Sequence, residues 1–412
     1  MKKVLIIAYH YPPLGGSGVF RTLKFTKYLP RFGFKPYVLT VKNAMYQAKD
    51  PTLLEDIPNE VEIFRTFSIE HKIFLMPFYA LKTTPKWIFV PDINIGWLPF
   101  AVRQGERIIK KENINVIYAT APIFTSLLIG CLLKRKTGKP LVIDFRDPWT
   151  QNVFTKYPTR LHKKIEEKME ERVLKEADYI IVAGDYLKHV LTERYPFVKS
   201  KMEVITNGFD PDDFKDLKMR KQTEKFRIIH TGSIYGLLTA RPFLLALSKA
   251  IEEKTNLKEK LEVMFVGSYG NETSILVHKL GLNDVVKLVK YTPHKKCLEL
   301  MLNSHLLLLL IALKDYEGTG ILTGKLFEYL ASRIPILAIA PENGAAANII
   351  RPLKAGVVVS PDNIELIKET IFKFYEMWEQ GKLSKITGNI TRYDRVFLTQ
   401  QLAQIFDLFA KV

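Results

Sequence analysis

Between residues 318 and 338 the chain reads GTGILTGKLFEYLASRIPILA. An apolar run over residues 306–313 precedes it and predicts a buried strand. Gly318, Gly320 and Gly324 then form a loop, and a helix is expected from Lys325. Glycines admit a close backbone approach to a ligand. The first turn of a helix offers unpaired N–H groups and a positive dipole end, which suit a phosphate. Lys325 adds a full positive charge there, and Glu328 lies one turn later on the same face, where a carboxylate can grip a sugar hydroxyl. Glu317, just upstream of the glycines, could do the same. The chemistry expected is binding of a phosphorylated, hydroxyl-rich ligand. A plain glycine corner between strand and helix would give the same pattern.

Three further constellations follow expected strands. His10-Tyr-Pro-Pro-Leu-Gly15-Gly16-Ser-Gly18 comes after the first. It matches neither the dinucleotide fingerprint nor the P-loop, but its glycines could approach a diphosphate or a sugar, and Arg21 could face the ligand. Asp144-Phe-Arg146-Asp147 ends another strand. Asp147 could act as a base or orient an acceptor hydroxyl, and Arg146 could hold a phosphate with two N–H groups. The alternative is an internal Asp–Arg pair that fixes the loop. His230-Thr-Gly232-Ser233-Ile-Tyr-Gly236 opens the second half, with Arg241 at a helix start, placed to neutralise a leaving phosphate. The histidines show no metal spacing, His305 reads as a core histidine, and no D-x-D triplet stands beside a strand. No metal and no cofactor are therefore expected.

Short apolar runs alternating with amphipathic helices position these residues. Strands are expected at 4–8, 36–41, 61–67, 116–119, 141–145, 178–183 and 202–205, then at 226–230, 261–266, 285–289, 306–312, 336–340 and 356–359. This is an α/β pattern of parallel sheets covered on both faces. A length of 412 residues implies two domains. The expected limits are a first doubly wound domain over 1–205, a polar linker over 206–225, a second doubly wound domain over 226–385, and a last segment, 386–412, returning to the first. Ligands in such domains sit at the carboxyl ends of the strands, here in a cleft where the two domains face each other.

No apolar run reaches the roughly 18 residues of a membrane span, and two distant cysteines, Cys131 and Cys297, give no disulfide framework. A cytoplasmic location is the default. The net charge of +18 is consistent with nucleic acid, an anionic membrane surface or anionic substrates. No nucleic-acid recognition module accompanies it. Aromatic and basic residues interleave over 64–100, among them Lys72, Phe74, Phe78, Tyr79, Lys82, Lys86 and Trp87, as suits a headgroup region or an irregular core.

Three segments occur in order: Tyr11-Pro-Pro-x-Gly-Gly, Val204-Ile-Thr-Asn-Gly-Phe-Asp, and Gly324-Lys-Leu-Phe-Glu328-Tyr-Leu-Ala-x-x-Ile-Pro-Ile-Leu. Together they resemble the GT-B fold glycosyltransferases of family 4, the group 1 sugar transferases, over roughly residues 1–385. The resemblance implies transfer of a sugar from a nucleoside diphosphate sugar to an acceptor, with retention and without metal, often at the inner membrane face in bacterial surface polysaccharide or glycolipid synthesis. It implies that Glu328 meets the donor ribose, that Thr323, Gly324 and Lys325 face the diphosphate, and that Gly15 and Gly16 lie near phosphates and acceptor. Arg241 stands near the place of a basic residue for the diphosphate. The chain departs from the family in three ways. Gly320 stands where the first glutamate of E-x7-E belongs, Ser233 replaces the basic residue after Gly232, and Arg146-Asp147 stands in place of a histidine. A sugar 2-epimerase of the same fold and a non-catalytic binding subunit are the alternatives.

Overall fold

A computed structural model describes residues 1–42, 44, 49–69, 89–152, 155–215, 217, 224–234, 238–311 and 319–410. Glu317, Gly318, Gly236 and most of the aromatic–basic stretch lie outside the described residues, as does part of 206–225. The chain forms two contact units, Met1–Thr206 with Arg395–Val412, and Asn207–Asp394.

The first unit holds seven parallel strands: β1 (Lys2–Ile7), β2 (Phe34–Val41), β3 (Glu62–Thr66), β4 (Val116–Thr120), β5 (Leu141–Phe145), β6 (Tyr179–Val182) and β7 (Met202–Val204). Their order is β3-β2-β1-β4-β5-β6-β7. Parallel strands need covered faces, and these sequences supply apolar side chains to both. Leu5, Ile7, Ile117 and Ile143 pack on one side with the Leu98–Glu112 and Thr125–Thr137 helices. Val4, Ile6, Tyr118 and Val142 pack on the other. The Arg395–Phe409 helix completes that second layer, with the Phe406 ring 5.5 Å from Phe34 and 5.6 Å from Tyr118.

The second unit repeats the plan with six parallel strands: β8 (Phe226–Thr231), β9 (Leu261–Val266), β10 (Val286–Val289), β11 (Leu306–Leu310), β12 (Ile336–Ile339) and β13 (Gly356–Val359). Their order is β10-β9-β8-β11-β12-β13. The five leucines of β11 are all buried and feed the cores on both faces. His305, just before β11, accepts from the Arg227 N–H at 3.0 Å and stacks on Phe226, as a core histidine should.

In each sheet the winding reverses once, between β1 and β4 and between β8 and β11. At such a point neighbouring loops leave in opposite directions and open a crevice at the strands' carboxyl ends. The constellations after β1 and β8 therefore stand at the two places where the topology makes room for a ligand.

Candidate functional site

In the second unit β8 ends at Thr231, and Gly232 continues with φ 111°, a conformation that disfavours any side chain. Its N–H donates to Val266 O at 2.7 Å. The Lys325 side chain lies across it: a Cβ on Gly232 would stand 2.9 Å from Lys325 Nζ. Next to the ammonium is His230. Its Nδ1 is 2.9 Å from the Leu308 carbonyl, which can only accept, so Nδ1 carries the proton. Nε2 thus turns a lone pair toward Lys325 Nζ, 3.5 Å away. Burial lowers Lys325 to about 8, with Glu328 acting the other way. Burial and then Lys325 hold His230 well below its ordinary value. The crevice therefore contains one ammonium beside a neutral imidazole.

Lys325 is carried by the Gly324–Ser332 helix, whose place is fixed by Tyr329: its hydroxyl accepts from the Thr231 N–H at 3.0 Å. Thr323 is the N-cap, yet its side chain caps nothing. Its Oγ1 is buried and has no hydrogen-bond partner among the described residues. A Cβ on Gly324 would meet no heavy atom within 4 Å, so the helix start faces open space. Thr323, Gly324 and Lys325 thus bring a hydroxyl, first-turn amides and an ammonium to one helix start. Glu328, one turn along, receives a hydrogen bond from His294 at 2.9 Å. Ser233 is exposed, as is Arg241 at the start of the Arg241–Glu253 helix, where its N–H donates to Thr239 Oγ1. No hydrogen bond or ion pair joins Arg241 to the Lys325 cluster among the described residues.

In the first unit Gly16, φ 83°, is the N-cap of the Ser17–Tyr28 helix, and Gly15 is buried just before it. His10 packs on Gly18 so closely that a Cβ there would lie 2.7 Å from the ring. Burial and then Arg146 lower His10 to about 4, so it is neutral at neutral pH. His10, Gly18, Thr120, Ala121, Ile123 and Arg146 line a narrow crevice.

Two expectations change here. Arg21 does not face a ligand: it is buried and bonds both oxygens of Asp144, at 2.9 and 2.8 Å, and the carbonyls of Ile205 and Thr206. Arg146 is not held out for a phosphate. Its guanidinium donates to Thr120 Oγ1, Thr22 Oγ1 and Gly18 O, and lies 3.8 Å from Asp144. An arginine this far committed fixes the loop, which is the ion-pair alternative. Burial would raise Asp144, but Arg21 first and then Arg146 and Thr120 hold it low. Asp147 remains exposed beside this lattice; crowding by the protein raises its carboxyl, and Arg146 opposes the rise.

Sequence reasoning gave His230 and His294 no role. Their partners lie 78, 95 and 34 residues away, and no local spacing marks them.

Two parallel Rossmann-like units of this topology are the architecture of GT-B glycosyltransferases. The Glycosyltransferase Family 4 profile matches residues 15–213, and the Glycosyl transferases group 1 profile matches residues 242–392. The chain belongs to this family of glycosyltransferases. No curated protein matches it. A glycosyltransferase from Rickettsia africae is similar in structure, with a TM-score of 0.68 at 17% identity over 100% of this chain and 99% of that one. Sucrose-phosphate synthase from Thermosynechococcus elongatus gives 0.66 at 13% identity, covering 99% of each chain. WaaG, a glycosyltransferase involved in lipopolysaccharide biosynthesis, gives 0.61 at 16% identity over 98% and 96%. At these identities the likeness concerns the fold.

Proposed function

We propose that the second unit binds the diphosphate of a nucleoside diphosphate sugar, and that the enzyme transfers the sugar with retention, without a metal ion. The observation that carries this is Lys325 laid across Gly232, beside a helix start whose cap hydroxyl is buried and unsatisfied. When the bond between the anomeric carbon and the diphosphate breaks, negative charge gathers on the leaving oxygen. A fixed ammonium and aligned amides favour that state over the ground state. The acceptor oxygen forms the new bond to the anomeric carbon, and its proton leaves with the nucleoside diphosphate. Glu328 takes the donor ribose, Gly232, Ser233 and Arg241 border the phosphates, and Gly15 and Gly16 lie near the acceptor. Asp147, the exposed carboxylate after β5, orients the acceptor hydroxyl. Arg146 supports it from within the loop, and Glu317 is the candidate for the transferred sugar.

A surface polysaccharide or glycolipid acceptor at the inner membrane face fits the likeness to WaaG and one feature of the surface. On the Arg160–Glu176 helix, Arg160, Lys163, Lys164 and Lys168 are exposed with no ion-pair partner among the described residues. Leu161 and Ile165, one turn apart, are 64% and 40% exposed among them. By contrast, Lys249, Lys254, Lys260 and Lys368 in the second unit each pair with a glutamate. Unpaired cations around exposed aliphatic side chains suit anionic lipid. No helix among the described residues is long and apolar enough to cross a membrane.

The test is a panel of nucleotide sugars screened for thermal stabilisation, followed by product analysis with and without chelator. The reading expects one donor to raise the melting temperature and its sugar to be transferred undiminished by chelation. Release of an epimer without acceptor would replace it.

A further inference from the structure

Glu328 has a partner that the donor reading does not use. His294 is the first residue of the His294–Leu302 helix, and its Nε2 lies 2.9 Å from Glu328 Oε1. The two side chains are only 13% and 24% exposed. A carboxylate oxygen accepts, so Nε2 carries the proton and donates. One carboxylate oxygen is thereby engaged, and the other stays available.

Glu328 stands three residues after Lys325, a spacing at which helical side chains meet. Left unrestrained, its carboxylate could swing onto the ammonium and cancel the charge offered to a diphosphate. No Lys325–Glu328 ion pair within 4 Å occurs among the described residues; the carboxylate is turned to His294 instead. A long acidic side chain also loses rotamer freedom when it grips a ligand, and prior restraint removes that cost.

We infer that His294 is a positioning residue that aims the Glu328 carboxylate at the vicinal hydroxyls of the donor's ribose and keeps it off Lys325. This rests on the donor-site reading above. A carboxylate with one oxygen hydrogen-bonded to His294 can still accept from two neighbouring hydroxyls, which is the chemistry of a cis-diol. The consequence is discrimination between ribose and 2′-deoxyribose that depends on His294 as well as on Glu328.

The experiment measures dissociation constants by calorimetry for UDP, GDP and ADP against their 2′-deoxy forms, on the full chain. Wild type is expected to prefer at least one ribose form. E328Q should abolish the preference. H294L should reduce it about threefold to tenfold, the range for one hydrogen bond. H294Q, whose amide nitrogen falls near Nε2, should restore it, whereas H294N, one methylene shorter, should not. A merely structural histidine would not produce that ordering, and the glutamine and asparagine variants carry the test alone should H294L fail to fold. If E328Q abolishes the preference while H294L or H294N leaves it intact, His294 has no such role. If wild type binds no ribonucleotide better than its 2′-deoxy form, or E328Q keeps the preference, the donor-site reading itself fails.

Discussion

The two reversal points have the same topology and opposite electrostatic economies. After β1 and β5, charges are matched internally: Arg21 takes both oxygens of Asp144, Tyr118 and Thr120 complete the carboxylate, and Arg146 is committed to Thr22, Thr120 and Gly18. After β8 and β11 the groups are held but not satisfied. Lys325 is propped by a histidine lone pair over a glycine, and Thr323 has a buried hydroxyl with no hydrogen-bond partner among the described residues. A closed lattice stabilises its loop, whereas unspent donors around fixed space await a ligand. The difference teaches that an arginine after a strand is not evidence of phosphate binding until its partners are counted.

The contrast can be broken most forcefully in the first unit. Replacing Asp144 by Asn leaves Arg21 buried without its counter-ion, which costs about 3–5 kcal/mol where a buried pair loses one partner. Chemical denaturation should show that loss, while nucleoside diphosphate affinity in any folded fraction stays near wild type. Next comes Gly232→Ala. It forces a side chain into φ 111° and against Lys325 Nζ, so about 1–3 kcal/mol of stability should go, with a roughly tenfold weaker affinity for nucleoside diphosphate. An unchanged affinity would mean that the ammonium over Gly232 is idle. Smallest is the effect of reversing Lys163, Lys164 and Lys168 to Glu. Activity on a soluble acceptor should not move, and flotation with vesicles rich in anionic lipid should fall by several fold. Equal flotation would remove the membrane from the proposal.

How much of this was legible in the sequence follows from distance along the chain. Each apolar run of four to eight residues predicted its strand, because burial on both faces leaves a continuous signal. The run before Gly324 and the helix after it were equally plain. The start of the Arg160–Glu176 helix was less plain, since Thr159, which caps it through the His162 N–H, carries no apolar mark. Lys325 was recognised from its place at a helix start. What held it there was not. His230 lies 95 residues away, and Gly232 passes beneath the lysine only after two strands have paired with their neighbours. Arg21 and Asp144 are 123 residues apart, so nothing local told that they neutralise each other. Local composition thus announces elements and their ends, while the partners that spend or spare a charge are set by which strands become adjacent.

The central claim is that Lys325, made only partly acidic by burial, meets a diphosphate at the end of β8. With its pKa near 8 the ammonium dominates below pH 8 and is lost above it, while His230 stays neutral throughout. Affinity should therefore be high at pH 7 and fall as pH rises through 8, with proton uptake on binding just above that value. Calorimetric titration of the best-bound nucleoside diphosphate into wild type and K325A at pH 7 and pH 9 tests this directly. The account predicts weaker binding by wild type at pH 9, and for K325A a loss of about tenfold to a hundredfold at pH 7 with no further change at pH 9. Equal affinity of the two proteins at pH 7, or the same pH dependence in both, would contradict it.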